Sequence, residues 1–105
     1  EANMSIQDEL FEAVYYGCDL EFQYQGNYYF INSGAGMHDA VKMHSITVYR
    51  SKESFYEGDG HSPCEEIYSA CQKDANENTR TLFEAKIFGG KALFEIIPEI
   101  CGISY

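Results

Sequence analysis

The chain has 105 residues, of which 45% are hydrophobic and 15% aromatic, and its 7 basic and 17 acidic side chains give a formal net charge of −10. This length and composition exclude an intrinsically disordered chain and a cleft between two domains, and they predict one globular domain over residues 1–105. The negative charge excludes DNA, RNA and anionic membranes as attractive partners, because polyanions are repelled at long range, and it favours a basic partner.

Residues 5–17 are predicted to form the first helix. Ser5 and Asp8 have the spacing and position of a capping box at its start. Gly17 is suited to the left-handed conformation that ends many helices. Apolar residues recur every four positions in between, at Ile6, Leu10 and Val14.

A β-hairpin is predicted directly after this helix. Apolar and polar residues alternate from Leu20 to Gln25, which is the pattern of a half-buried strand. Gly26 and Asn27 both tolerate positive φ and are predicted to form the turn. The return strand, residues 28–31, is apolar on both faces and is therefore predicted to be a central strand that is covered on both sides.

The middle of the chain is predicted to contain a third strand between two connections. Residues 33–44 show no clear period, and residues 33–36 are predicted to be a flexible connection. Residues 45–50 alternate again and predict a strand antiparallel to the second one. Residues 51–61 are polar and acidic and are predicted to be a loop.

A second helix is predicted to begin at Ser62, with Pro63 at the first helical position and Glu65 completing a capping box. Its buried face would be formed by Cys64, Ile67, Tyr68 and Cys71. Both cysteines are therefore predicted to be core thiols. Along a helix they would lie about 10 Å apart, which is beyond the reach of a disulfide.

The C-terminal third permits two interpretations. Residues 74–79 are polar and are predicted to be a break. After a short helical or extended segment, a helix from Lys91 to Cys101 is favoured by the spacing of its apolar residues. The alternative for residues 81–101 is two strands around the Gly89-Gly90 turn, and Pro98 weakens the helical interpretation.

Together these elements predict an α+β fold, in which a small antiparallel sheet of three or more strands packs against N-terminal, middle and C-terminal helices. No signal-peptide pattern is present, and no stretch approaches the about 20 apolar residues of a membrane span. Residues 1–3 precede Met4 and are compatible with a cloning remnant, so a removed export signal would not be visible. The four cysteines lack the spacing of a disulfide framework, so we expect a cytoplasmic protein with reduced thiols.

No group of residues carries a strong signature of catalysis, metal binding or a cofactor. His61 and Cys64 have the spacing of two metal ligands, but no second pair follows, so no metal site is predicted. The same pair is the best candidate for a nucleophile and its base, yet Glu65 and Glu66 oppose formation of a thiolate. Residues 33–36 lack the further residues of a phosphate-binding loop. We therefore expect a non-catalytic protein without a cofactor.

The favoured function is the binding of a basic protein. Tyrosine offers a large rigid contact area with a polar tip, and acidic groups steer a basic partner towards the surface. Both are concentrated in one segment, where the predicted partner-binding residues are Tyr49, Glu53, Phe55, Tyr56, Glu57, Asp59, Glu65 and Glu66. By analogy of composition with immunity proteins and antitoxins, the partner would be a toxin such as a nuclease, and the carboxylates would take the place of substrate phosphates.

Two other functions stay open. The first is a small-molecule-binding or regulatory domain with a pocket between sheet and helices, lined by Tyr28, Phe30 and Met43. The second is an enzyme built on His61 and Cys64. A homodimer through the second aromatic face of residues 28–31 is compatible with each function.

Overall fold

Helices and strands follow one another as a single α+β arrangement in the computed structural model, which describes residues 5–55 and 64–105. The helices are α1 (Ile6–Tyr15), α2 (Ala75–Glu84) and α3 (Leu93–Ile96), followed by a 3₁₀ helix (Ile97–Glu99). The strands are β1 (Leu20–Tyr24), β2 (Asn27–His38), β3 (Val41–Ser51), β4 (Cys64–Gln72) and β5 (Cys101–Ser104). They form one antiparallel sheet in the order β4-β3-β2-β1-β5, so the predicted fold class is confirmed.

The limits of α1 follow from the signals in its sequence. The Ser5 hydroxyl accepts a hydrogen bond from the Asp8 amide at 3.1 Å, as a helix N-cap does. At the other end Gly17 has φ of +83°, and the Cys18 amide donates to the Ala13 carbonyl at 2.8 Å. This is the Schellman arrangement, and it confirms the predicted end of the helix.

The first hairpin is formed as predicted, except for the position of its turn. Tyr24 pairs with Asn27, so the two loop residues are Gln25 and Gly26, with φ of +50° and +79°. Positive φ at both positions matches the twist of the strands. The predicted Gly26-Asn27 turn was one residue too late. The central position of β2 in the sheet is confirmed, while the described helices cover only one of its two faces.

The flexible connection predicted at residues 33–36 is wrong, because β2 and β3 form one long hairpin through the region without a clear period, residues 33–44. The pairing continues to His38 and Val41, and only Asp39 and Ala40 form the turn, with φ of +50° and +65°. Alanine rarely adopts this conformation, so the turn has no recognisable sequence signal. Pairing with β3 keeps the glycines of β2 extended although glycine is a poor strand former.

The predicted helix from residue 62 is also wrong, since residues 64–72 form the edge strand β4 on β3. A β-bulge shifts the register beside Val48, and both Ile67 and Tyr68 pack against the core. Cys64 and Cys71 are exposed instead of being core thiols. The helix start proposed at residues 62–63 lies outside the described residues.

The middle helix is α2, and it begins inside the polar stretch that was predicted to be a break. The Asp74 carboxylate caps it by accepting a hydrogen bond from the Glu77 amide at 3.1 Å. The face that α2 buries is half polar, and it consists of Asn78, Thr79, Leu82 and Phe83.

The C-terminal third combines parts of both predicted alternatives. Phe88 and Lys91 exchange backbone hydrogen bonds of 3.0 and 3.2 Å around Gly89-Gly90, which form the tight turn. The helix predicted from Lys91 to Cys101 is limited to α3, because the chain tightens into a 3₁₀ turn at Pro98 and then enters β5.

One hydrophobic core lies between the sheet and the helices. Phe88 is fully buried at its centre, with ring centroids 5.7 Å from Phe22 and 5.1 Å from Tyr29. The other residues of this core are Leu10, Val14, Leu20, Tyr24, Ile31, Ile46, Val48, Leu82, Phe83, Leu93 and Ile96.

A buried polar pair connects α1, α2 and β3. His44 donates from Nε2 to the Val14 carbonyl at 3.1 Å, and its Nδ1 accepts from the Asn78 amide at 3.0 Å. Asn78 also donates to the His44 carbonyl at 2.8 Å, which fixes the orientation of its amide. The partners therefore define a neutral imidazole with its proton on Nε2.

Candidate protein-binding site

The second face of the sheet carries no helix in the part of the chain that the structure describes, and we call it the outer face. Its side chains alternate with the buried ones, since Tyr28 and Phe30 alternate with the core residues Tyr29 and Ile31. On β3, Tyr49 occupies the same face, because it pairs in register with Phe30. Tyr28, Phe30 and Tyr49 are half-buried on this face.

Three aromatic rings form a cluster at one end of the outer face, which we call the aromatic corner. Phe55, just beyond β3, stacks on Phe30 with ring centroids 4.9 Å apart. The Phe55 ring also lies 6.2 Å from that of Tyr49. All three side chains are half-buried, so each keeps part of its ring accessible.

Phe55 is held in place by a buried carboxylate. Glu21 in β1 is only 3% exposed. It accepts hydrogen bonds from the Ser54 hydroxyl at 2.7 Å and from the Phe55 amide at 2.6 Å. Hydrogen bonds of this kind offset the cost of burying a charge. Glu21 is thus the residue that fixes the start of the β3–β4 connection on the sheet.

The acidic residues beside the aromatic corner differ in their surroundings. Glu66 is exposed on β4 directly opposite Tyr49 in the register, so these two side chains are neighbours on the outer face. Glu53 is exposed two residues before Phe55, and its amide donates to the Ser51 hydroxyl at 3.1 Å.

Glu65 points to the opposite side of β4, where it forms an ion pair with Arg50. This contact raises the pKa of Arg50, mainly through the side-chain hydrogen bond to Glu65. Because the carboxylate is 63% exposed, solvent screens the pair and its contribution to stability is small. The pair nevertheless offsets the charge of Glu65, so this residue contributes less negative potential than Glu66.

The structure brings together part of the predicted partner-binding set. Tyr49, Phe55 and Glu66 lie together on the outer face, and Glu53 is close to them along the chain. Tyr56, Glu57 and Asp59, together with His61 of the proposed enzyme site, lie outside the described residues. Sequence reasoning missed the roles of Glu21 and Phe30 at this site. A glutamate at an outward position of a strand is ordinary, and only the fold shows that a connection covers it.

The three residues predicted to line a ligand pocket do not lie together in the structure. Tyr28 and Phe30 lie on the outer face, away from the helices. Met43 lines a pocket of about 370 Å³ near α1 and α2. A pocket between sheet and helices is therefore present, but it contains only one of the three predicted residues.

Within residues 5–55 and 64–105, no three His, Cys, Asp or Glu side chains lie close enough to hold a metal ion. No helix in these residues is both long and apolar enough to cross a membrane. The four cysteines are exposed free thiols.

Charge and aromatic area thus coincide at one end of the outer face, next to a buried glutamate that holds one of the rings. Comparisons of the chain with models of protein families, with curated proteins and with solved structures found no match. Function must accordingly be inferred from the geometry of the chain itself.

Proposed function

We propose that this protein is a small non-catalytic inhibitor that binds a basic protein partner through the aromatic corner of its outer face. The observation that carries the proposal is the placement of Tyr49 and Phe55 next to Glu66 on a face without a described helix. The formal charge of −10 supports the same type of partner. The partner would be of the kind that immunity proteins and antitoxins bind, namely a toxin such as a nuclease.

Each part of the site has a separate physical role in this proposal. The rings of Phe30, Tyr49 and Phe55 supply apolar contact area of the kind that dominates interface energies. Glu53 and Glu66 attract basic groups and accelerate the encounter. Glu21 acts as a positioning residue, because a ring that is already fixed loses little conformational entropy when the partner binds.

Inhibition would be steric and electrostatic. A nuclease binds its substrate through basic side chains that contact phosphates. Carboxylates from this protein would occupy those side chains while the aromatic corner covers the neighbouring surface. No bond is made or broken in such a mechanism, which agrees with the proposal of a non-catalytic protein.

The test is affinity capture from a lysate of the source organism at low and at moderate salt, followed by an activity assay of the captured protein. The test variant is the double replacement E53Q/E66Q. Its charge-matched control is E12Q/E99Q, which removes two exposed carboxylates from α1 and from the 3₁₀ helix.

We expect one basic protein to be retained near one-to-one by the wild type and by the control, and less of it by E53Q/E66Q. Its activity should fall as the wild-type protein is added. Equal retention by E53Q/E66Q and by the wild type would refute the proposed site. A retained partner that stays fully active in the complex would refute inhibition.

A further inference from the structure

A second site lies at the other end of the sheet, and we call it the cationic pocket. It is a pocket of about 370 Å³ between the end of α1, the start of α2 and the β2–β3 hairpin. The residues that matter for the argument are Tyr15, Tyr16, Lys42, Met43, Lys73 and Ala75. Its volume lies in the lower part of the range of small-molecule sites, roughly 300–1,000 Å³.

The charge of this pocket is opposite to that of the whole chain. Lys42 and Lys73 both line it, and neither forms an ion pair with a carboxylate in residues 5–55 and 64–105. Among the residues that the structure describes, no Asp or Glu lines this pocket, whereas the pocket beside α1 contains Glu9 and the one beside Arg50 contains Glu65. Two unneutralised cations at one pocket repel each other, so an anion between them is favourable.

The start of α2 adds to the attraction for an anion. Ala75 is the first residue of this ten-residue helix and lines the pocket. The first amides of a helix have no partner within it and form the positive end of its dipole. The Asp74 carboxylate at the N-cap accepts a hydrogen bond from the Glu77 amide, and its negative charge reduces the positive potential at this end of the helix. The two lysines therefore provide the main attraction.

Two tyrosines supply an aromatic wall. Tyr15 and Tyr16 end α1, and their rings meet edge to face with centroids 4.9 Å apart. Tyr16 is 73% exposed, which is unusual for a large aromatic side chain. Next to them, both ring nitrogens of His44 are occupied by partners inside the protein. The groups left for a ligand are thus the two ammonium groups, the ring faces and the phenolic hydroxyls.

From this combination we infer that the cationic pocket binds a small organic phosphate that carries a planar ring. The phosphate lies between Lys42 and Lys73 at the start of α2, and the ring packs against Tyr15 and Tyr16. The pocket shares no lining residue with the aromatic corner. Binding of this ligand therefore does not depend on the proposed protein partner.

The first experiment is a nuclear magnetic resonance titration of the full chain with phenyl phosphate, in which the backbone amide signals are followed. We expect saturable shifts at Lys42, Met43 and residues 73–75. Inorganic phosphate should shift the same signals at a higher concentration, since it lacks the ring. Phenol, which lacks the charge, should bind more weakly than phenyl phosphate.

Two single replacements test the lysines. K42Q and K73Q should each weaken the binding of phenyl phosphate by about tenfold, because each removes a charged hydrogen-bond donor. Both side chains are exposed and unpaired, so neither replacement should lower the melting temperature. The matched control is K91Q, at an exposed lysine outside this pocket, and it should leave the affinity unchanged.

A third replacement, Y16A, should reduce the preference for phenyl phosphate over inorganic phosphate while the affinity for inorganic phosphate stays the same. The inference is overturned if phenyl phosphate produces no saturable shifts at these amides. It is also overturned if K91Q weakens binding as much as K42Q and K73Q, because the attraction would then come from overall charge. Equal affinities for phenyl phosphate and inorganic phosphate would overturn the aromatic part.

Discussion

Replacing Glu21 by glutamine should destabilise the folded protein and loosen the attachment of Phe55 to the sheet. The Glu21 carboxylate is 3% exposed and accepts hydrogen bonds from Ser54 and Phe55. Glutamine keeps one acceptor oxygen but adds an amide group that cannot accept a hydrogen bond. The variant therefore leaves a buried donor with a poor partner, which costs about 1.5–3 kcal/mol when the original acceptor is charged.

The size of this effect makes it easy to measure. For a domain of this length, 1 kcal/mol corresponds to a shift in Tm of about 4–8 °C. We therefore expect E21Q to melt about 6–24 °C below the wild type. Urea denaturation should likewise show a lower free energy of unfolding for E21Q than for the wild type. Hydrogen exchange at the Phe55 amide should become faster, because that amide donates directly to Glu21.

The control for this prediction is E12Q, which changes an exposed glutamate of α1 in the same way. It should stay within about 0.5 kcal/mol of the wild type. S54A removes the hydrogen bond from the Ser54 hydroxyl to Glu21, and its stability should fall between those of E12Q and E21Q. If E21Q is as stable as E12Q and protection of the Phe55 amide is unchanged, Glu21 does not hold this segment.

Three further predictions concern the core and the helix caps. N78A should lower the free energy of unfolding by about 2–3 kcal/mol in urea denaturation, because it leaves the His44 carbonyl and Nδ1 buried without their donor; an unchanged midpoint would contradict this role. F88A should cost about 3–5 kcal/mol, since the ring is fully buried, and a milder loss would mean that the site collapses around the cavity. The pKa of Glu95 is lowered, mainly because its carboxylate accepts a hydrogen bond from the Ala92 amide. A lowered pKa in the folded state stabilises above the unfolded pKa and is lost as the pH falls through the folded value, so thermal melts of wild type and E95Q should differ at neutral pH and converge in acid; a constant difference would argue against this cap.

The elements that the sequence predicts best are those with local signals. The N-cap at Ser5 and the glycine at position 17 define α1 through bonds between near neighbours. The alternation from Leu20 onwards likewise defines β1, because Leu20, Phe22 and Tyr24 on one face of the strand pack into the hydrophobic core. Such signals act within a few residues and need no knowledge of the rest of the fold.

The error over residues 64–72 has a specific physical cause. A β-bulge puts the consecutive residues Ile67 and Tyr68 against the same core. Two adjacent inward residues interrupt the strand period and imitate the apolar face of a helix. Pairing with β3 decides the conformation, and it depends on residues far away in the sequence.

The first half of α2 was missed because part of the face that the helix buries is polar. Asn78 and Thr79 are fully buried, and the Asn78 side-chain nitrogen donates to His44, which lies 34 residues earlier in the sequence. Hydropathy cannot indicate such a contact. The spacing of Asp74 and Glu77 is that of a helix start, and it was the available signal.

At the candidate site, composition indicated the segment and the fold supplied the arrangement. Tyr49 and Phe55 were predicted because aromatic and acidic residues are concentrated there. Their contact with Phe30 and the support from Glu21 require the register of β1, β2 and β3. Of the two lysines of the cationic pocket, Lys42 lies at the start of β3 and Lys73 directly follows β4, its antiparallel neighbour. No local pattern could have connected them.

The central claim is that the acids at the aromatic corner attract a basic partner. Its most direct test is the association rate of the captured partner with wild type, E53Q/E66Q and the control E12Q/E99Q. The ionic strength should be raised from about 0.01 M to about 0.15 M, over which the screening length falls from about 30 Å to about 8 Å. We expect a steep fall for the wild type and the control and a shallower one for E53Q/E66Q. The same slope for all three proteins would contradict the claim.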